Sequence, residues 1–273
     1  MQTLIKALTG GDEFKLDMGL DLAALELATI EFPDVVPGPY LERLDHMALE
    51  LAEETAGLSG SEFVARANIL LFEEIGFRGN EQNYYDARNS CLNWVLDQRM
   101  GIPITLSLVY IEVARRIGRP VFGIPLPGHF VVQYDDGKYS TFLDPFNGGK
   151  LLNEDDCWKL ARNAGAEVPF DLRLLRRAGT RHILIRMLNN LRAAYFQRED
   201  FVRAVKVLNL LIQSTPNAAD YYKGRGIANI HIRQFRAARA DFEQYLRLEP
   251  GAEDRDDIVK QMAEIHRWVG TLN

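Results

Sequence analysis

The sequence predicts an α+β chain in three parts. A helical N-terminal region covers 1–78, a mixed core with a small antiparallel sheet covers 79–180, and an all-α repeat block covers 181–273. Three observations carry this prediction. Apolar residues recur at helical spacing through the first part. Val-, Phe- and Tyr-rich segments separated by turn residues follow the long apolar stretch that ends at Gly118. From Leu184 onward the chain repeats at a spacing of 34, read from Pro216 to Pro250.

In the first part, LDLAALELATIEF carries Leu20, Leu22, Leu25, Leu27 and Ile30 with acids between them, and VPGP at Val36–Pro39 reads as a break. YLERLDHMALELAEET follows, with Leu41, Leu44, Met47 and Leu51 at helical spacing. SGSEFVARANILLFEEIGF gives a third helix, with Ser61 as its cap and Gly76 as its stop. Asn89 or Ser90 then caps a short helix over 91–99, closed by Gly101 and Pro103. The helix over 104–117 is apolar nearly all round, the pattern of a helix buried on several sides.

RPVFGIPL, GHFVVQYDDGKYSTFLDPF and GGKLL read as strands and turns. Asp136-Gly137 is a type I′ hairpin signal, and as the turn centre it pairs residues whose numbers sum to 273. Val131 then lies opposite Phe142 and His129 opposite Asp144. The hairpin therefore brings an imidazole against a carboxylate on one face of the sheet.

The repeats are LNNLRAAYFQREDFVRAVKVLNLLIQSTPN and YYKGRGIANIHIRQFRAARADFEQYLRLEPG. A period of 34 is that of tetratricopeptide helix-turn-helix units, and RDDIVKQMAEIHRWVGTL is the expected capping helix. Units of this kind bind extended peptides on a concave face, so a protein or peptide partner is expected through this block. Arg186, Asn189, Asn190 and Lys223 are the candidates for that face and for holding a peptide carboxylate. The alternative for them is a solvated or intramolecularly packed surface.

Net charge is -6, which argues against nucleic acid as the main partner. Residues 1–60 hold twelve acidic against three basic side chains, and residues 172–247 hold fifteen basic against five acidic. No apolar run approaches a membrane span, and MQTLIKALTGGDEF lacks the apolar region of a signal peptide. Two isolated cysteines, Cys91 and Cys157, give neither a disulfide framework nor a zinc site. His46, His182, His231 and His266 show no ligand spacing. A reduced, cytoplasmic protein without metal or cofactor is the expectation.

The string FRGNEQNYYDARNSCLNWVLDQRMGIPITLSLVYIEVARRIGRPVFGIPLPGHFVVQY, continued by LDPFNGGKLL, resembles the SirB family of bacterial transglutaminase-like proteins with tetratricopeptide repeats. The resemblance implies a papain-like core in which a cysteine opens a central helix and a His and an Asp lie on the adjoining sheet. His129 and Asp144 match that His and Asp. ARRIGRP is similar to the family's helix ending, and fifteen residues before Gly118 stands Pro103, where the family has its cysteine.

A thiolate is needed to attack an amide carbonyl, and proline supplies none. Thr105 and Ser107 offer hydroxyls near the helix start, with backbone bonding as their ordinary role. Cys91 precedes the slot on the previous helix, with a buried structural thiol as its ordinary reading. Acidic neighbours oppose a thiolate at Cys157. Tyr84, Tyr85, Asp86, Arg88 and Asn89 line the same cleft or form the turn that leads into the core. Beside a purely structural module in which the cleft is closed, two functions compete. One is a non-catalytic or diverged transglutaminase-like protein acting in protein interaction or regulation. The other is a cysteine-type amide hydrolase or acyltransferase with His129 as base, Asp144 as its orienter and Cys91 or a hydroxyl as nucleophile.

Overall fold

The computed structural model describes residues 1–10, 19–163 and 175–271, which form two compact units, Met1–Met187 and Leu188–Asn273. Residues 11–18, within the region read as helical, and 164–174, within the connector, lie outside the described residues.

The first unit begins with α1 (Gln2–Thr9), α2 (Leu20–Ala28) and α3 (Pro37–Thr55). VPGP is the start of α3 rather than a break between helices: a proline at the first helical position forfeits only an N–H that has no partner there. In α4 (Gly60–Asn68) the cap is Ser59, not Ser61. The Ser59 side chain accepts the Glu62 N–H while the Glu62 carboxylate accepts the Ser59 N–H at 2.9 Å. A π-helical segment, Ile69–Glu74, extends α4, and Gly76 with φ +83° follows it.

Two short strands, β1 (Arg78–Gly79) and β2 (Met100–Gly101), pair in parallel around a 3₁₀ turn (Ala87–Ser90) and α5 (Leu92–Gln98). Cys91 occupies the N-cap of α5 without a side-chain cap bond, so neither Asn89 nor Ser90 plays that part. Next comes α6 (Pro103–Arg116), buried at every residue from Pro103 to Ala114. Helices α2, α3 and α5 pack on it, as do β3 (Val121–Leu126) and β4 (His129–Asp135). With β5 (Ser140–Asp144) and β6 (Lys150–Leu152) these strands form an antiparallel sheet in the order β3-β4-β5-β6. Helix α7 (Glu154–Asn163) places Cys157 in an apolar cluster with Ile124, Leu126, Val131 and Phe142.

The β4–β5 register differs from the expected one by two residues. Gln133 pairs with Phe142 and Asp135 with Ser140, which makes Gly137-Lys138 the loop. Gly137 has φ +81° and Lys138 does not share that region, so the turn places glycine at its first central position. The Asp136 side chain fixes this choice by accepting the N–H groups of Lys138 at 2.9 Å and Tyr139 at 2.8 Å. A shift of two residues preserves the faces, so His129 and Asp144 still share one side of the sheet as diagonal neighbours.

Helix α8 (Thr180–Gln197) contains the boundary between the units. The second unit continues with α9 (Phe201–Ser214), α10 (Ala219–His231), α11 (Phe235–Leu248) and α12 (Arg255–Thr271). The 34-residue period appears in the backbone itself: Glu199 at φ +57° and Arg233 at φ +60° occupy the same turn in successive units. Ala238, Phe242, Tyr245, Ile258 and Ile265 form a buried cluster across α11 and α12. This is the expected capping role of the last helix.

Candidate functional site

His129 opens β4, and Asp144 ends β5 and caps the 3₁₀ turn Pro145–Asn147. One Asp144 oxygen accepts the backbone N–H of Phe146 at 3.1 Å and of Asn147 at 3.3 Å. The other accepts Asn147 Nδ2 at 2.7 Å and bonds His129 Nε2 at 2.8 Å. A carboxylate here makes Nε2 the protonated ring nitrogen and leaves Nδ1 as the free lone pair. Burial pushes the Asp144 carboxyl upward, but the hydrogen bond and charge of His129 and the bonds from Asn147 outweigh it and hold its pKa below the usual value.

That sign fixes a pH response. A carboxylate with a depressed folded-state pKa contributes stability above the ordinary carboxylate range and loses it as pH falls through the folded value. Asp144→Asn is expected to cost about 2 kcal/mol near neutrality. Urea midpoints of the wild type and the variant should converge on acidification; a gap independent of pH contradicts this assignment.

Phe146 stands edge-on to the His129 ring, with centroids 6.1 Å apart, and Tyr84 stands edge-on to Phe146 at 5.9 Å. Gly79 makes room for this wall, since a Cβ there would lie 2.7 Å from the Phe146 ring. Asn89 is fully buried and holds the Tyr84 segment: its Nδ2 donates to the carbonyls of Asn83 and Tyr84, and its Oδ1 accepts from Asn80. Asp86 caps the 3₁₀ turn and pairs with Arg88, while Tyr85 is exposed. Tyr84 thus belongs to the site, and its neighbours build the turn behind it.

Among the described residues no hydrogen bond joins the Thr105 or Ser107 hydroxyl to His129. Thr105 donates to the Asn89 carbonyl at 2.8 Å and accepts the Ile102 N–H at 3.2 Å, which ties the mouth of α6 to the preceding turn. The Ser107 hydroxyl is buried without a hydrogen-bond partner. The Cys91 thiol is fully buried and lies 3.7 Å from the Ala87 carbonyl, the acceptor four residues earlier. Burial, with Asp156, Asp144 and Glu154 adding to it, pushes the Cys157 thiol up to about 12. Among the described residues no group of three or more His, Cys, Asp or Glu could hold a metal. No helix among them is long and apolar enough to cross a membrane.

The groove candidates fall in different places. Arg186 belongs to the first unit and donates to the His129 backbone carbonyl at 2.8 Å. Asn189 donates to the Tyr221 hydroxyl at 3.1 Å, and Asn190 is half-buried. Lys223 pairs with Asp254 at 2.6 Å and lies over the Tyr245 ring. Sequence reasoning did not single out Phe146 and Asn147 beside the aspartate. The signal was the LDPFN string itself, in which Asp-Pro opens a turn and the next two amides face the carboxylate.

The model of the transglutaminase-like superfamily matches residues 39–189, and that of the tetratricopeptide repeat matches 191–263. A UPF0162 protein of Xylella fastidiosa is 34% identical over 249 residues, covering 89% of this chain and 88% of its own. Protein SirB1 of Salmonella typhimurium is 22% identical, covering 82% of this chain and 83% of its own. F-box only protein 21 of Homo sapiens is 32% identical over 105 residues, 36% of this chain and 17% of its own. No solved structure matches the chain.

Proposed function

Because the chain belongs to the transglutaminase-like superfamily and carries tetratricopeptide repeats, we propose that it is a diverged, non-catalytic member that acts by binding other proteins. The reading rests on one observation: both thiols of the chain are buried, Cys91 beside the Ala87 carbonyl and Cys157 in an apolar cluster with Ile124, Leu126 and Val131. At the mouth of α6, where the family resemblance calls for a cysteine, stands Pro103, whose side chain offers no lone pair. What is left is a polarised imidazole flanked by the rings of Phe146 and Tyr84, an arrangement suited to holding a group rather than cleaving one. Repeats of this class supply extended surfaces for protein partners, which fits a chain whose role is recognition.

Thiol chemistry tests this. In native buffer, iodoacetamide should label Cys91 and Cys157 at least a hundredfold more slowly than in denaturant, a ratio on the order of what burial imposes through local opening. The rates should be unchanged in His129→Ala. Fast native labelling of Cys91 that slows in His129→Ala would revive the enzyme reading.

A further inference from the structure

Arg186 differs from the many arginines of the first unit that pair with carboxylates. Arg43 has Asp97, Arg66 has Glu54 and Glu74, Arg88 has Asp86, and Arg116 has Asp21 and Glu112. Arg119, without a carboxylate, donates to the carbonyls of Thr55 and Leu58 and lies over the Phe63 ring. Arg186 is half-buried and gives one N–H to the His129 carbonyl, with no carboxylate paired to it among the described residues. A guanidinium carries five N–H donors in a planar fork, so most of its capacity is unspent.

The surroundings sharpen this. Asp144 cannot serve as the missing partner, because both its oxygens are taken by His129, Asn147 and two backbone amides. Tyr84 is half-buried, and among the described residues its hydroxyl has no hydrogen-bond partner. His129 engages Asp144 through Nε2, and among the described residues Nδ1 has no hydrogen-bond partner. Burial lowers the Arg186 pKa, with Tyr84 as the small opposing influence, so its charge is held against desolvation that an arriving anion would offset.

We infer that Arg186 is the carboxylate-recognition residue of the mouth beside His129, which takes a single carboxylate carried on a peptide. This rests on reading the mouth as a binding site. A bidentate pair with the Arg186 fork supplies the affinity, and the Tyr84 hydroxyl supplies a further donor. Charge selects the class. Arg186 supplies one positive charge close to the Asp144 carboxylate, so the site repels a phosphate dianion more than a carboxylate monoanion. The carboxylate comes from a chain terminus or from an acidic side chain, and the two sources are separable.

The test uses the full chain and follows the His129 ring resonances by NMR at constant ionic strength. N-acetylglycine represents a terminal carboxylate, N-acetylglutamic acid α-methylamide a side-chain one, and N-acetylglycine methylamide the neutral control. The expected result is saturable shifts with at least one carboxylate and none with the control, the tighter probe identifying the source. Arg186→Gln, which keeps a donor for the His129 carbonyl, should weaken binding at least tenfold. Arg186→Lys keeps the charge without the fork, should weaken it several-fold, and replaces the first variant if that one fails to fold. Equal affinity in a folded variant, no carboxylate-dependent shift, or tighter binding of inorganic phosphate overturns the assignment. Fast native labelling of Cys91 would sink the non-catalytic reading and leave this titration standing, so the two failures are distinguishable.

Discussion

Arg116→Ala is expected to destabilise the first unit by about 3 kcal/mol, the cost of removing one partner from a buried ionic cluster. Arg116 reaches from α6 to Asp21 on α2, Asp45 on α3 and Glu112 one turn back on α6. Glu112 is fully buried, and Asp21 is 5% exposed. Deleting Arg116 leaves both carboxylates to Arg115, which bonds Glu112 at 2.6 Å and stands 3.7 Å from Asp21. Burial pushes the Glu112 pKa upward, and the two arginines only partly counter it. A raised carboxylate pKa contributes stability below the ordinary carboxylate range and loses it as pH rises through the folded value. The deficit of Arg116→Ala should therefore grow as pH rises above the ordinary carboxylate range. Adding Glu112→Gln should recover part of it. Additive losses in the double variant, measured by urea unfolding, would contradict this account of the cluster.

Phe242→Ala should cost about 4 kcal/mol, because it empties the centre of the second unit's core. Phe242 is fully buried, and Ala238, Tyr245, Ile258 and Ile265 surround it. A block of two helical hairpins and a cap has little surplus stability to absorb that loss. Hydrogen exchange should show protection vanishing from α10, α11 and α12 while α6 and the sheet keep theirs. Retained protection in α11, or parallel loss in α6, would contradict the division of the core at Leu188.

Much of the architecture was legible in the sequence because it follows from periodicity. The all-round apolar pattern from Ile104 to Ala114 placed a central buried helix, and the 34-residue spacing placed the repeats. Local chemistry was harder to read. Asp136 can cap a turn with its side chain as well as sit inside one, and that choice moved the β4–β5 register by two residues. The His129–Asp144 pair survived the shift only because a strand's faces alternate with period two. VPGP carries both a break signal and a helix-start signal, and packing of α3 against α6 decided between them. The reach of Arg186 to His129 spans 57 residues, and no local pattern announces a contact of that range. A repeat register assigned Arg186 to a groove because α8 reads as one continuous helix, whereas its first residues belong to the unit that holds His129.

The central claim is that this mouth keeps the His–Asp half of a transglutaminase-like site without an attacking thiol. The most direct measurement is incorporation of a fluorescent primary amine into a glutamine-rich protein substrate, with release of ammonia followed in parallel. The account predicts rates indistinguishable from buffer for the wild type, Cys91→Ala and His129→Ala alike. Turnover in the wild type that is abolished in both Cys91→Ala and His129→Ala would contradict it.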